Sequence, residues 1–362
     1  MTQKPLTMID LFAGCGGVTL GFKNKGFRGL AAVEFDAVVA KTYRLNHPEV
    51  ALYEQDIRDV DPRQVMEQCR LESEELTVLS VCAPCQPFSR QNRTRRPDSR
   101  VGLVLEALRF IAVMRPEFVF FENVPGLYRG KHKDILERLI VGLEDQGYAV
   151  SSPRVVDAVD YGVPQFRKRL ILLAAAYGEA PPFPEPTHDS PEVALQTGKA
   201  PWQTVGNAFN GLPILQSGEQ DPDDPLHKAR KHHPLSLERL KHIPHNGGSR
   251  HSLPPHLQLN CHKNGDNIGY HDVYGRMDYQ RPSNTLTTGC TNFTKGRFAH
   301  PEQDRAITPR EAARLQTFPD SYRFFGTYEQ ISSQIGNAVP VLLAEAFADL
   351  FYRLWRREKG AG

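Results

Sequence analysis

The sequence predicts an α/β protein with a doubly wound, mostly parallel sheet and a second region that is smaller and irregular. Up to about residue 177, five short apolar runs alternate with helical stretches, as expected for consecutive βαβ units. Prolines crowd residues 180–186, and residues 190–300 are rich in Pro, Gly, Asn and His without clear periodicity. The predicted strands are 8–12, 29–33, 76–82, 118–121 and 170–175.

The last segment of the chain has helical periodicity. Residues 339–355 bring apolar side chains to one face of a predicted helix. Those side chains are Val339, Leu342, Leu343, Ala346, Leu350 and Phe351.

The composition is that of an ordinary globular protein. The 362 residues are 40% hydrophobic and 24% charged, which is enough for one large domain and a smaller one. The net charge of +2 does not indicate a polyanionic partner, so any nucleic-acid surface must be local. The N-terminal residues lack a signal-peptide pattern, and no run reaches the roughly 18 apolar residues of a membrane span. Six scattered cysteines fit a reducing compartment, and a cytoplasmic location is expected.

A glycine-rich turn follows the first predicted strand. It occupies residues 12–17, between Asp10 and a predicted helix, and Glu34 follows about twenty residues later. The third position of a dinucleotide fingerprint is Thr19, and there is no Walker lysine, so a nucleoside without a pyrophosphate is favoured. S-adenosylmethionine fits this description. Taken alone, the turn is equally well explained as a tight connection.

Asp56 follows a third apolar segment, where its carboxylate could accept a hydrogen bond from an adenine amino group. If the sequence lacked Gly14 and Glu34, a surface loop acid would be the simpler interpretation.

Cys85 lies just beyond the predicted strand 76–82, and Pro84 ends that strand because it lacks a backbone donor. The thiol is therefore expected at the carboxyl edge of the sheet, where α/β proteins bind ligands and place nucleophiles. A lone cysteine would more often be a small core residue.

Cys82 and Cys85 also form a C-x-x-C pair, which is found in redox sites and zinc half-sites. A zinc site needs a second pair, but Cys261 and Cys290 are far apart in sequence and the histidines lack the required spacing. No metal is expected.

Six motifs occur along nearly the whole chain in the order found in DNA cytosine C5-methyltransferases, and the sequence therefore resembles that family. The motifs are F-A-G-C-G-G (12–17), P-C-Q (84–86), E-N-V (122–124), Q-F-R-K-R (165–169), R-E-A-A-R-L-Q (310–316) and Q-I-G-N-A-V-P (334–340). One departure is Ala83, at a position where the family often has proline or a larger residue.

The resemblance implies four catalytic residues. Cys85 would attack C6 of a flipped cytosine, and Glu122 would contact N3 and the exocyclic amine. Arg167 would support O2 and the cysteine loop, with Arg169 as the second arginine of that motif.

This chemistry requires these groups. Cytosine C5 is a poor nucleophile, and addition of a thiolate at C6 makes the ring enamine-like, so that C5 can accept an activated methyl group. An acid near N3 and a guanidinium near O2 offset the charge that the addition moves into the ring. The base is reachable only outside the stack and must be flipped.

The resemblance also implies a cofactor site, for S-adenosylmethionine with S-adenosylhomocysteine as product. The residues expected to form it are Asp10, Phe12, Ala13, Gly14, Gly16, Gly17, Glu34, Phe35, Asp56, Ile57, Pro84, Asn337 and Ala338.

Two basic stretches are candidates for DNA contact. Residues 90–100 contain five arginines, and residues 228–250 contain six Lys or Arg against one Glu. Such runs are usually solvated loops. In the family the first position belongs to a loop that closes over DNA, and the second to the target-recognition region. The DNA-contacting residues expected are Gln86, Ser89, Arg90, Arg93, Arg95, Arg96, Lys228, Arg230 and Lys231.

The implied architecture is a Rossmann-like methyltransferase domain with a smaller, irregular target-recognition domain. Residues 1–188 and 326–362 would form the catalytic domain and 189–325 the recognition domain, with double-stranded DNA in the cleft between them. A cognate restriction endonuclease, a monomeric state, no membrane association and a nucleoid-associated cytoplasmic location in a prokaryote are further expectations. Two alternatives stay open at this point: methylation of cytosine in tRNA, and a non-catalytic DNA-binding relative.

Overall fold

The computed structural model describes residues 5–88, 98–260 and 272–360. Five residues of interest, Ser89, Arg90, Arg93, Arg95 and Arg96, lie outside these ranges, as does Cys261. The strands are β1 (Thr7–Leu11), β2 (Arg28–Val33), β3 (Ala51–Tyr53), β4 (Val78–Val81), β5 (Phe118–Asn123), β6 (Ala149–Val150), β7 (Arg154–Asp157), β8 (Lys168–Ala175), β9 (His188–Asp189) and β10 (Ala200–Pro201). The helices are α1 (Gly17–Asn24), α2 (Ala37–Asn46), α3 (Pro62–Cys69), α4 (Glu106–Met114), α5 (Pro125–Arg129), α6 (Lys133–Glu144), α7 (Pro191–Thr197), α8 (Val205–Phe209), α9 (Pro234–Lys241), α10 (Pro309–Leu315), α11 (Tyr328–Asn337) and α12 (Val341–Gly360).

One large sheet contains β1 to β8 in the order β3-β2-β1-β4-β5-β8-β6, with β7 also paired to β8. The pairs among β1 to β5 are parallel, whereas β8 is antiparallel to β5, β6 and β7. The order 3-2-1-4-5 is that of a doubly wound sheet. In such a sheet, successive strands are added on one side of β1 and then, from β4 onward, on the other side. The predicted α/β fold with its mostly parallel sheet is therefore confirmed.

Helices cover both faces of this sheet, as the alternation along β5 shows. Val119 and Phe121 join a buried cluster with side chains of α3, α4 and α6. On the other face, the Phe118 ring stacks on Phe351 at 5.0 Å, and the Phe120 ring lies 5.2 Å from Phe347. Strands buried on both faces read as continuous apolar runs, which is why the sequence revealed them.

Helix α12 packs closely on α1 at Gly21. A Cβ there would lie 2.7 Å from the Ala344 Cβ and 2.8 Å from the Val341 carbonyl oxygen, so only glycine permits this approach. The helix begins after Pro340, and its buried face differs from the predicted one. Leu343, Leu350 and Phe351 are buried as expected, but Leu342 and Ala346 are only half-buried, and the buried face is completed by Ala344, Phe347, Ala348 and Trp355.

Within the described residues, one helical stretch, Tyr328–Arg357, has the length and apolar composition of a membrane span. Of its most apolar 18 residues, 67% are buried within the fold. The aromatic contacts of α12 with β5 account for its apolar character as a core helix.

The chain divides into two compact units. The first contains Met1–Tyr161, Lys168–Pro186 and Val339–Gly362, and the second contains Gly162–Arg167 and Thr187–Ala338. This division differs from the domain boundaries expected from the sequence in three respects: residues 162–167, 187–188 and 326–338 fall in the second unit.

The second unit contains buried ion pairs in addition to an apolar core. Arg305 and Glu311 form two hydrogen bonds of 2.8 and 2.7 Å, and both side chains are almost fully buried. Arg276 is also buried, where it donates to backbone carbonyls such as that of Ile243 and pairs with Asp304. Buried ion pairs and hydrogen bonds of this kind help to stabilise the second unit, whose described helices and strands are short.

Candidate active site

Cys85 lies just after the carboxyl end of β4, which runs between β1 and β5. The Cys82 amide still donates to the Leu11 carbonyl at 3.2 Å, after which the chain leaves the sheet at Ala83 and Pro84. A 3₁₀ turn, Gln86–Phe88, follows, and the Phe88 amide donates to the Cys85 carbonyl at 3.0 Å. The half-buried thiol is therefore at the sheet edge that the sequence predicted.

Asn123, at the end of neighbouring β5, holds this segment in place. Its side-chain amide donates to the Ala83 carbonyl at 3.1 Å, and its Oδ1 accepts from the Val124 amide at 2.9 Å. The sequence analysis did not assign this residue a role, although its position beside Glu122 in the E-N-V motif was a signal.

Glu122 precedes Asn123 on β5 and forms an ion pair with Arg169 on antiparallel β8, with 2.7 Å between Oε1 and Nε. The two side chains are only 9% and 11% exposed, so water screens this pair poorly. Burial raises the pKa of the Cys82 thiol, and the negative charge of Glu122 raises it further.

Arg167 has different surroundings. It lies in the second unit and is 1% exposed, and it donates to the carbonyls of Leu286, Gly336 and Ala338 at 2.8–2.9 Å. The sequence analysis assigned the substrate contact to Arg167 and a secondary place to Arg169. In the structure it is Arg169, and not Arg167, that forms the ion pair with Glu122.

Arg100 is a further cation near Cys85. Its guanidinium forms two hydrogen bonds with Asp98, of 2.9 and 2.8 Å, and it belongs to the 3₁₀ helix Ser99–Leu105, which contacts the turn Gln86–Phe88. Hydrogen bonding to Asp98 raises the pKa of Arg100, and the charge of nearby Cys85 raises it further.

Cys82 is half-buried at the end of β4, and its Sγ lies 3.8 Å from the Ser80 hydroxyl. Across residues 5–88, 98–260 and 272–360, the structure brings together no group of three or more His, Cys, Asp or Glu able to hold a metal.

The glycine-rich turn after β1 has a left-handed backbone at Phe12, Gly14 and Gly16, with φ of 60°, 56° and 92°. The Gly14 amide donates to Glu34 Oε2 at 2.9 Å, and the Asp36 amide donates to Glu34 Oε1 at 2.8 Å. Burial raises the pKa of Glu34. A Cβ at Gly14 would meet nothing within 4 Å, so the space above the turn is open.

A polar chain supports this turn from below. Thr19 donates to Asp10 Oδ2 at 2.8 Å and lies 2.9 Å from the Tyr43 hydroxyl, and a His47 ring nitrogen lies 3.2 Å from the Gly16 carbonyl oxygen. Burial raises the pKa of Asp10 to about 6 and lowers that of His47 to about 4. The sequence analysis missed Thr19, Tyr43 and His47 as supports, because nothing in a local pattern relates α1 and α2 to the turn.

Asp56 and its neighbours have mixed surroundings. Asp56 caps the 3₁₀ turn Ile57–Asp59 and pairs with Arg58 through bonds of 2.9 and 2.6 Å, which lower the pKa of Asp56. Ile57 is buried, whereas Phe35, beside Glu34, is 72% exposed.

Other residues predicted to bind the cofactor or DNA differ in their exposure and their contacts. Gln86 is exposed and Pro84 half-buried. Asn337 ends α11 with an exposed side chain, and the Ala338 carbonyl accepts from Arg167. Lys228 and Lys231 are exposed, whereas Arg230 pairs with Glu329 at 3.2 Å.

Comparison with known proteins identifies the family. A family model described as C-5 cytosine-specific DNA methylase matches residues 6–352. The chain is 37% identical over 346 residues to the type II methylase M.HgiDII of Herpetosiphon aurantiacus, covering 94% of this chain and 93% of the relative. It is 33% identical to the type II methyltransferase M.XorII of Xanthomonas oryzae, covering 97% and 85%.

Solved structures support the same fold. A putative DNA modification methyltransferase encoded within an E. coli prophage matches with a TM-score of 0.73 and 24% identity, over 97% of this chain and 99% of that one. Spodoptera frugiperda DNMT2 matches with a TM-score of 0.62 and 17% identity, over 96% and 99%. Since the family match and the curated relatives both span nearly the whole chain, the chain belongs to the C-5 cytosine-specific DNA methylase family and is a DNA cytosine-5-methyltransferase.

Proposed function

We propose that this enzyme transfers the methyl group of S-adenosylmethionine to C5 of a cytosine flipped out of duplex DNA, at a specific short sequence, through a covalent bond between Cys85 and C6. One observation carries the proposal: the Cys85 thiol emerges at the carboxyl edge of β4, and the buried Glu122–Arg169 pair lies at the end of the adjacent strand.

The proposed chemistry begins with attack of the Cys85 thiolate on C6. A C–S bond forms, and negative charge moves toward N3, where the Glu122 carboxyl group would hold a proton. The electron pair at C5 would then form a bond to the methyl carbon of S-adenosylmethionine, while the bond from that carbon to the positively charged sulfur breaks and leaves neutral S-adenosylhomocysteine. Transfer of the C5 proton to solvent water would then form the C5–C6 double bond and break the C–S bond, which would restore the aromatic ring and release Cys85 as a thiolate.

Arg169 would orient Glu122 and add positive charge beside the ring. We assign this role to Arg169 rather than Arg167, because three backbone carbonyls already engage the guanidinium of Arg167. Arg167 would instead act within the second unit as a structural residue.

The residues around the glycine-rich turn fit a nucleoside. The two oxygens of Glu34 accept one backbone amide each, which fixes the carboxylate and leaves lone pairs for the two hydroxyls of a ribose. Exposed Phe35 offers a ring face for a purine, and open space above Gly14 allows a ligand to approach the backbone. These features support S-adenosylmethionine as the cofactor.

Duplex DNA is the proposed substrate, and base flipping follows from geometry, since a thiolate must approach C6 from above the ring, where the stack places another base. The names of the relatives M.HgiDII and M.XorII denote type II enzymes. We therefore infer a fixed recognition sequence and a cognate restriction endonuclease, together with a monomeric enzyme acting on DNA in a prokaryotic cytoplasm.

Bisulfite sequencing of DNA from cells that express the protein would reveal the methylated cytosines. In vitro, duplex DNA with 5-fluorocytosine at the target should trap a covalent complex, because fluorine does not leave C5 as a proton does. Cys85→Ser should abolish methyl transfer and trapping, and Cys69→Ser, at the end of α3, serves as the matched control. Retained turnover in Cys85→Ser would contradict the covalent mechanism, and methylation of tRNA but not duplex DNA would overturn the substrate.

A further inference from the structure

Residues 128–133, Tyr-Arg-Gly-Lys-His-Lys, join α5 to α6 and are termed the basic turn here. The side chains of Arg129, Lys131 and Lys133 are exposed, and Tyr128 is 42% exposed. The turn contains no acidic residue. A charged loop of this kind is usually only solvated, so its position in the fold decides whether it has a role.

Two contacts hold the basic turn beside the 3₁₀ turn Gln86–Phe88, which follows Cys85. A Cβ on Gly126 of α5 would lie 2.0 Å from the Phe88 carbonyl oxygen, so the backbone of α5 rests directly on the residue that ends the turn after Cys85. The His132 ring also meets the Phe88 ring edge-on, with 5.6 Å between centroids.

The contacts of Gly126 and His132 with Phe88 anchor the basic turn beside the segment that carries Cys85.

The charges of Arg129 and Lys131 are available for a ligand. Within the described part of the chain neither enters an ion pair, whereas Lys133 lies 3.7 Å from Glu137 in an exposed pair that contributes little. Exposed, unpaired cations held on a fixed scaffold suit an anion with repeating charges.

We propose that the basic turn binds backbone phosphates of the DNA strand that carries the target cytosine, with Arg129 and Lys131 as the contacts. The proposal rests on the proposed function, because a cytosine that reaches Cys85 stays joined to its strand and brings the neighbouring phosphates to the protein surface beside the site. It adds a phosphate-binding surface that the two basic stretches of the sequence analysis did not include.

The test measures the salt dependence of duplex binding in the full-length protein carrying Cys85→Ser, so that no covalent complex forms. Arg129→Gln/Lys131→Gln should flatten the slope of log K against log salt concentration by about 0.9 per lost contact, or about 1.8 in total. Arg356→Gln/Arg357→Gln is the matched control. These two exposed arginines follow Phe351, which stacks on the first residue of β5, so they lie at the opposite edge of the sheet from Cys85.

Neutral methylphosphonate linkages on the target strand would locate the contact. At one or more positions beside the target cytosine, the linkage should weaken binding by the parent protein and have no effect on Arg129→Gln/Lys131→Gln. The proposal is overturned if the double variant keeps the parent slope, if the control flattens the slope equally, or if the variant responds to every linkage as the parent does. If the parent enzyme methylated no duplex DNA, that result would contradict the proposed function rather than the phosphate contacts alone.

Discussion

Arg167 and Arg169 are separated by one residue, yet their side chains have different partners. Arg167 is enclosed by backbone carbonyls of residues 286–338, and Arg169 faces Glu122 across the β5–β8 pair. At the residue scale, the two arginines therefore differ in whether the guanidinium reaches backbone carbonyls or a carboxylate, and residue type alone does not reveal this.

Substituting these arginines one at a time should separate their roles. Arg169→Gln should leave Glu122 without its cation and abolish most methyl transfer, while the thermal midpoint changes less than in the companion variant. Arg167→Gln should mainly destabilise the fold, by about 1–3 kcal/mol for each buried carbonyl left unpaired. Activity assays and thermal unfolding of both variants provide the measurements, and equal loss of stability with full activity in Arg169→Gln would contradict the assignment.

The cofactor site offers a second prediction at this scale. Glu34→Ala should weaken S-adenosylmethionine binding by about 1–3 kcal/mol, because it removes a fixed carboxylate expected to accept from the ribose. Asp56→Ala should also weaken it, but by less, since the Asp56 carboxylate is already paired with Arg58. Calorimetric titration of the free protein tests both. The pocket assignment is wrong if the two variants bind as tightly as the parent.

At the element scale, α10 illustrates how a short helix is secured in an irregular region. Thr308 and Glu311 form a capping box, and Glu311 also receives both hydrogen bonds from Arg305. Arg310 pairs with Asp224, and a His227 ring nitrogen lies 3.0 Å from the Thr308 hydroxyl. These contacts tie α10 to a segment about eighty residues earlier, in a region where the sequence showed no periodicity.

The carboxylate of Glu311 should make stability depend on pH in acid. Burial alone would raise its pKa, but Arg305 reverses this and lowers the pKa from 4.5 to about 2. Because the folded pKa is depressed, the stabilisation is complete above about pH 4.5 and is lost as the pH falls toward 2. Glu311→Gln should therefore be less stable than the parent near neutral pH, with a difference that shrinks below pH 4.5. Urea unfolding across this range tests it, and a constant difference down to pH 3 would contradict the prediction.

At the scale of the whole molecule, the chain forms two compact units, and the first is discontinuous because α12 returns to pack on α1 and β5. We propose that residues 189–325 select the DNA sequence and that the remainder performs the chemistry. The irregular character of the second unit suits this division, since loops vary more freely than packed strands.

Replacing residues 189–325 by the equivalent segment of a relative should therefore change which cytosine is methylated without changing the product. The physical reason is that Cys85, Glu122, Arg169 and Glu34 all lie outside the exchanged segment. Bisulfite sequencing of DNA exposed to the chimera gives the measurement. An active chimera that still methylates the parent's sequence would exclude this division of roles.

The sequence by itself determined the parallel sheet, the glycine-rich turn after β1 and the exit of Cys85 from β4, because buried strands, turns and a proline leave local patterns. The resemblance to known motifs added Glu122 and both arginines, since motif order is also readable along the chain. Only the tertiary structure decided that Arg169 rather than Arg167 pairs with Glu122, that Asn123 holds Ala83, and that Thr19, Tyr43 and His47 support the glycine turn. Each of these contacts joins residues on different elements, and the register and packing of those elements depend on the whole core rather than on any local pattern.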